Sequence, residues 1–376
     1  MVRMATVVRT IFAVVFTLVL GTGGGFAQQS PNSSVRPPAN AVTNATPGAP
    51  GAAPASEDAQ FWKSVRGGIE GQVSIPDKKA GVLVQSGGES WRQFRNGPLP
   101  RNGAIAMGAM LALLAVFFLV RGRIKLEHGW AGRTVQRFGD LDRMAHWLMA
   151  VSFIILGLTG LNVLYGRSVL LPVIGKEAFA TLSATGKWLH NYVAFGFMAG
   201  LALSFVLWIK DNIPGPIDVM WLLKGGGMFT KGSHPPAKKF NAGQKILFWL
   251  IMLCGVSISL SGLELMFPFQ FALFGKTFGV LAQWGLGVPT AATAMQEMQF
   301  ASAWHAIMAL ALICVIFAHI YIGTLGMQGA FSAMGSGQVD ENWAKEHHSI
   351  WAAKVIAERD AAETTAPADR RLQAAE

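Results

Sequence analysis

Residues 301–325 read ASAWHAIMALALICVIFAHIYIGTL. The stretch is long enough to cross the hydrocarbon core of a bilayer as a helix, which takes about 20 residues. It holds no Asp, Glu, Lys or Arg, and its two imidazoles are His305 and His319. Fourteen residues separate them, just under four helical turns. They therefore share one helix face at two depths about 21 Å apart. An ionisable side chain inside a membrane is costly and marks function.

Four similar apolar stretches precede it, at about 103–120, 144–165, 188–209 and 244–264. Composition agrees. Of 376 residues, 52% are hydrophobic and 14% charged, with a mean hydropathy of +0.38. A soluble protein carries about a quarter charged residues. Trp147, Trp188, Trp208, Trp249 and Trp304 lie near span ends, as interfacial anchors do. The segment 266–290 is apolar but interrupted by Pro268 and Pro289, and reads as an interfacial loop with short helices. The expected fold class is an all-α membrane protein with five transmembrane helices.

Lys and Arg total 31 against 21 Asp and Glu, a net charge of +10. The excess has an address. The loop 121–143 carries six basic residues, 166–187 three, 210–245 six, 265–300 one and the tail after 326 five. Alternation of this kind is the positive-inside pattern. It puts 121–143, 210–245 and the C-terminus in the cytoplasm and the N-terminal region in the periplasm of a multi-pass inner-membrane protein. The charge needs no nucleic acid to explain it.

The N-terminal part reads differently. Arg3 and Arg9 precede an apolar run that is too short to span, followed by Gly25-Phe26-Ala27, so residues 1–27 resemble a secretory signal peptide. Residues 28–56 are rich in Pro, Ala, Ser, Asn and Gly and read as a disordered linker. A periplasmic segment follows at 57–102, where Val73 to Gln85 suit a small hairpin. The span 103–120 has no histidine. A domain at 121–355 and a flexible cytoplasmic tail at 356–376 complete the chain. Cys254 and Cys314 are the only cysteines. They exclude a disulfide scaffold, covalent haem attachment, and a cysteine-ligated iron–sulfur cluster or zinc site made by this chain alone.

Eight histidines occur. His128, His234, His347 and His348 lie in loops or the tail. His146 begins the second span at its cytoplasmic end and His190 the third span at its periplasmic end. His190 is thus level with His305, and His146 with His319. Two cross-helix pairs stacked through a bilayer fit two bis-histidine b-type haems, which move electrons and have no open iron position. Gly157, Gly160, Gly196 and Gly200 suit either a macrocycle wedged between helices or close helix packing. The spans hold almost no carboxylate, so cation or proton pumping is not expected.

At these residues the chain resembles the gamma subunit of membrane-bound formate dehydrogenases, a dihaem cytochrome b. The resemblance covers roughly 130–355. It rests on Arg137-Phe-Gly-Asp-Leu-Asp-Arg-Met-Ala-His146-Trp, Gly186-Lys-Trp-Leu-His190 and Lys239-Phe-Asn-Ala-Gly-Gln-Lys245. It rests also on His305 to His319 followed by Ile-Tyr-Ile-Gly-Thr, and on Val339-Asp-Glu-Asn-Trp-Ala-Lys-Glu-His-His348. Cytochrome b subunits of nickel–iron hydrogenases share the plan and are the alternative. The Asn-Ala-Gly-Gln-Lys loop and the Trp-Ala-Lys-Glu-His-His tail favour formate dehydrogenase.

The resemblance implies that four spans form a dihaem bundle. His190 and His305 would hold the periplasmic haem, and His146 and His319 the cytoplasmic one. Quinone, the substrate, would bind beside the latter with Asn241 and Gly243 at its carbonyl. An N-cap at a helix start also accounts for Asn241. Partners implied are an iron–sulfur beta subunit and an alpha subunit with a molybdenum or tungsten pterin, along with membrane lipid and assembly into trimers. The chain would be the quinone-reducing subunit of an oxidoreductase and would not itself oxidise formate. Compared with shorter family members it adds the N-terminal extension and the span 103–120.

Overall fold

The computed structural model describes residues 71–72, 82–84, 88–228, 232–289 and 292–365. The stretches read as signal peptide (1–27) and linker (28–56) lie outside these, as do most of 57–87 and the end of the tail, 366–376. The chain divides into two compact units, Met1–Trp91 and Arg92–Glu376. In the first, β1 (Gly71–Gln72) pairs antiparallel with β2 (Val82–Val84). Helix α1 (Gly88–Asn96) follows.

The second unit is built on α2 (Pro98–Arg121), α3 (Asp140–Val169), α4 (Leu171–Trp208), α5 (Pro216–Leu223), α6 (Ala242–Met266), α7 (Leu273–Gln283) and α8 (Ala294–Tyr321). Five of these, α2, α3, α4, α6 and α8, are long and apolar enough to cross a membrane. α3 and α4 are longer than the spans expected from hydropathy. The stretch 166–187, expected as a loop, is helical but for the joint at Leu170 and a break at Gly175, which takes φ +78°. Arg167, Lys176, Glu177 and Lys187 end an apolar window but do not break a helix, and Pro172 sits in the first turn of α4, where a missing N–H costs nothing. Beyond the break at Gly175, α4 still runs unbroken from Lys176 to Trp208, about 50 Å, well past a hydrocarbon core of about 30 Å.

The order of packing is α3 on α4, α4 on α6, α6 on α8 and α8 back on α3, so four helices close on one another. α2 leans on α8 from outside. Its Gly103 meets Leu310 so closely that a Cβ there would come within 2.6 Å of Leu310 Cδ1. Tyr165 Oη donates to the Pro100 carbonyl at 2.8 Å. Its other faces are open, with Leu119 81% and Val120 83% exposed, as a lipid-facing helix requires.

Two carboxylates lie at the ends of the long helices, one closing the 244–264 stretch and one just before 301–325. Glu264 of α6 and Glu297 of α8 are both buried beside the start of α7. Glu264 accepts from Leu273 N–H (3.3 Å), and Glu297 from Phe274 N–H (2.5 Å) and Gly275 N–H (2.9 Å). They cap the open amides at the start of α7 and fix this short helix between the ends of α6 and α8.

The opposite end of the bundle is not purely helical. β3 (Thr134–Gln136) pairs antiparallel with β4 (Gln338–Asp340), so Val135 faces Val339. Helices α9 (Ser332–Gly335) and α10 (Glu341–His347) pack against this ribbon, and α11 (Ser349–Thr365) packs on α10. α11 extends to Thr365, into the stretch 356–376 read as a tail. Arg137, counted in the sequence as an orienting charge, is only 3% exposed. Its guanidinium lies 5.1–5.3 Å from the ring centres of Phe138, Trp343 and Trp351, and it donates to the Lys239 carbonyl. Burial lowers its pKa to about 9, so it stays a cation at neutral pH. This one side chain ties the 121–139 loop, the approach to α6 and the C-terminal helices together.

Other fastenings at this end are polar and buried. Asp142 in the first turn of α3 accepts from Gly139 N–H (3.0 Å) and from Trp208 Nε1 at the end of α4 (2.6 Å). Lys245 donates to Asp218 Oδ2 (2.8 Å) and to the Ile213 carbonyl (3.0 Å), which holds α5 to α6. His348 is 1% exposed and its Nδ1 lies 2.8 Å from the Lys238 carbonyl. Burial, reinforced by Arg137, keeps the His348 pKa well below 6.5. Burial likewise lowers that of His347 to about 4, against the pull of Glu346.

Two outcomes follow for the folded chain in detergent. Lys245→Met leaves Asp218 buried without its cation and lowers unfolding stability by about 3–5 kcal/mol. Arg133→Ala, whose side chain is 68% exposed beside Glu341, lowers it by less than about 1 kcal/mol. Denaturant titration of both variants measures the difference. The second outcome concerns acid. Between pH 6.5 and about 4 the unfolded chain binds a proton at His347 that the folded chain refuses. Stability is therefore full above about pH 6.5 and falls as pH drops towards 4, by about 3 kcal/mol for this group. His347→Gln should flatten that part of the stability–pH curve, and an unchanged slope would refute the assignment.

Candidate functional site

The helical ring brings the four span histidines together in two pairs. The rings of His146 (α3) and His319 (α8) are 6.1 Å apart between centres, with their planes at 60°. Those of His190 (α4) and His305 (α8) are 6.2 Å apart, at 61°. A metal ion about 2 Å from a nitrogen of each ring puts two imidazole centres about 6 Å apart. Among the described residues no group of three or more His, Cys, Asp or Glu is placed to hold a bare metal ion. A pair of imidazoles can complete coordination only where other ligands fill the remaining positions, as a porphyrin does. Both pairs fit a haem on this ground. A third pair, His234 and His347, has the same 6.2 Å spacing but lies in the polar end. There His234 Nε2 is 2.9 Å from Glu127 Oε2.

At the His190–His305 pair each imidazole meets a hydroxyl from a neighbouring helix. Thr159, one helix over on α3, has Oγ1 2.8 Å from His190 Nδ1. Ser261 on α6 has Oγ 3.1 Å from His305 Nδ1. His146 Nδ1 is buried with no hydrogen-bond partner among the described residues. Just past His319, α8 widens to π geometry over Ile322–Gly326, a local change often found at functional sites. Neither hydroxyl was recognisable in the sequence, because Thr and Ser are common in membrane helices. The only available signal was depth: Thr159 is thirteen residues after His146 on the same helix.

The glycines separate into two groups. A Cβ at Gly200 would lie 2.7 Å from Met149 N, and one at Gly196 3.0 Å from Ser152 Oγ. Both serve the close approach of α3 and α4. A Cβ at Gly160 would lie 3.6 Å from His190 Cε1, and one at Gly262 3.2 Å from His305 Cε1. These two leave room for the rings. Gly157 faces only Ile313, at 4.0 Å.

Asn241 is the N-cap of α6. Its Oδ1 accepts from Gln244 N–H (3.0 Å), and Gln244 Oε1 accepts from Asn241 N–H (3.1 Å), a reciprocal capping box. The helix-cap reading of this residue is thus what the structure displays. Gly243 lies under Trp221, whose Cη2 would be 3.1 Å from an added Cβ. Both residues sit at the end of the bundle that holds the start of α3, since Gln244 Oε1 is 3.5 Å from Arg137 Nη2. Ser261 is twenty residues further along α6, about 30 Å away. Asn241 therefore belongs to the end of the His146–His319 pair.

Long apolar helices that hold imidazoles in pairs at two depths define a multi-pass membrane cytochrome b. Residues 137–337 match the prokaryotic cytochrome b561 family, more than half of the chain, and the chain belongs to that family. Membership implies haem. Among curated proteins it is similar to the cytochrome b556 (Fdn) subunit of nitrate-inducible formate dehydrogenase from Escherichia coli K12. The two are 27% identical over 221 residues, 58% of this chain and 90% of that protein. The cytochrome b556 (Fdo) subunit of formate dehydrogenase from the same strain is 26% identical over 219 residues, 58% of this chain and 92% of the relative. The formate dehydrogenase cytochrome b556 subunit of Haemophilus influenzae is 26% identical over 214 residues, 56% and 78% of the two chains. The chain is thus a cytochrome b membrane subunit related to formate dehydrogenase gamma subunits.

Proposed function

We propose that this chain is the electron-transfer and quinone-reducing subunit of a formate dehydrogenase complex. The observation that carries the proposal is the pair of imidazole pairs on α8, His305 with His190 and His319 with His146, at two depths of one bundle. A b-type haem held at each pair would pass single electrons and, with both axial positions taken by imidazole, would offer no open site to oxygen. The separation of about 21 Å along α8 spans much of a bilayer.

The charge pattern supports an orientation. The six basic residues in each of 121–143 and 210–245 put the His146–His319 end in the cytoplasm. His190 and His305 then face the periplasm, where an iron–sulfur partner would deliver electrons taken from formate by a pterin-bearing subunit. Names of the relatives support the choice of dehydrogenase. Quinone reduction takes up two electrons and two protons, and a site at the cytoplasmic end draws the protons from that side.

Asn241 would bind the quinone there. Its Oδ1 is engaged in the cap, which leaves the Nδ2 amide hydrogens to donate to a carbonyl. Gly243 acts by admitting the Trp221 ring beside that amide.

The full complex tests this reading. Its reduced-minus-oxidised spectrum should show the sharp alpha band of bis-imidazole haem b, and a missing band refutes the proposal. His190→Ala and His305→Ala should each lose about half of the haem and block haem reduction by formate. Asn241→Asp keeps the cap acceptor and removes the amide donor. It should leave formate-driven haem reduction intact and slow quinone reduction about tenfold or more, the worth of one lost hydrogen bond in a dry site. Asn241→Asp with normal quinone turnover would leave Asn241 as a helix cap alone.

A further inference from the structure

Each of the two hydroxyls at the His190–His305 pair also lies against a backbone carbonyl of its own helix. Thr159 Oγ1 lies 2.8 Å from the Ile155 carbonyl and 3.1 Å from that of Leu156, in its own helix. Ser261 Oγ lies 3.0 Å from the Ile258 carbonyl, again in its own helix. A carbonyl oxygen can only accept, and a hydroxyl has one proton. Donation backwards along the helix is the usual arrangement for Ser and Thr in apolar helices. What each hydroxyl then presents to the imidazole is a lone pair. With the hydroxyl proton directed that way, His190 Nδ1, at 2.8 Å, and His305 Nδ1, at 3.1 Å, act as the N–H donors. In a neutral imidazole the other nitrogen, Nε2, carries the free lone pair.

The arrangement occurs twice, from two different helices, α3 and α6, onto two different partners, α4 and α8. Ser261 is buried at 2% exposure, so no water competes for its lone pair. Gly160 and Gly262, adjacent in sequence to these hydroxyls, hold space for the same two rings, with a Cβ on either coming within 3.6 Å of the imidazole. The His146–His319 pair differs, since His146 Nδ1 is buried with no acceptor among the described residues.

We propose that Thr159 and Ser261 are positioning residues that hold His190 and His305 in the Nδ1–H form, so that both Nε2 atoms face a shared haem iron and this haem is set at a lower potential. The proposal rests on the reading of His190 and His305 as haem ligands. An accepted Nδ1–H bond orients the ring and raises the basicity of the ligating nitrogen. A more basic axial ligand favours the oxidised iron, and hydrogen bonding to the axial ligand is among a protein's means of setting haem potential. The effect belongs to one pair only, so the hydroxyls would create a difference in potential between the two ends, with the end facing the electron donor the more reducing.

The test is a potentiometric titration, followed by the alpha band, of the purified complex with wild-type chain, Thr159→Val, Thr159→Ser, Ser261→Ala and Ser261→Thr. Ser259→Ala is the control, because the Ser259 hydroxyl also donates back along α6, to Gly255 at 2.7 Å, but Ser259 is not one of the two residues assigned to an imidazole. Expected is an upward shift of one haem and not the other in Thr159→Val and Ser261→Ala. Thr159→Ser and Ser261→Thr should restore the wild-type value, and Ser259→Ala should not move it. Loss of that one haem in Thr159→Val, restored in Thr159→Ser, would also support the proposal. Unchanged potentials in both hydroxyl deletions, equal shifts of both haems, or a loss that the conservative variants do not restore would overturn it. Failure of the underlying reading looks different: the wild-type complex lacks the alpha band, or His190→Ala keeps its full haem content.

Discussion

An imidazole within a bilayer is costly to leave alone, and α8 carries two of them. Their fourteen-residue spacing puts both on one face, so a single helix demands two partners at two depths. The rest of the bundle answers that demand. α3 supplies His146 at one depth and Thr159 at the other. α4 supplies His190, and α6 supplies Ser261 against the back of His305. Every helix of the closed ring thus touches at least one imidazole of α8 or its partner. α2, which touches none of them, leans on the outside and offers most of its surface to lipid.

Pairing at two depths works only if the helices cannot slide. A slip of one turn moves a side chain about 5.4 Å along the axis, which is close to the whole separation of the paired rings. The register is held at the polar end, where charge can be used. Asp142 bonds the end of α4 to the start of α3, Lys245 bonds α5 to α6, and Arg137 sits between the β3–β4 ribbon, the approach to α6 and the C-terminal helices. At the other end Glu264 and Glu297 do the same for α7. Arg137 and Lys245, counted in the sequence among the loop charges, thus serve when buried as fasteners.

Asn241 shows how one residue can be read in two ways that do not compete. The capping box uses its oxygen and leaves its amide nitrogen. Asn-Ala-Gly-Gln at a helix start is recognisable in the sequence because a cap is a contact over three residues. Nothing comparable signals Arg137 or Lys245. In a list of loop charges they are indistinguishable from Arg133, which is largely exposed, and only their partners in space make them different.

The sequence by itself determined the properties that depend on near neighbours. Hydropathy windows locate five helices, and a spacing of fourteen along one helix aligns His305 with His319, because helical period and solvent preference are local. It also carried the resemblance that the family match then placed on residues 137–337. Tertiary structure alone decided the rest. Ser261 is 44 residues from His305, and Arg137 is 107 from Gln244. Contacts at that range depend on which faces of which helices meet, and no periodicity in one segment records the rotation of another. The true ends of α3 and α4, the ribbon that joins residues 134–136 to 338–340, and the hydroxyls set against His190 and His305 all follow from those meetings.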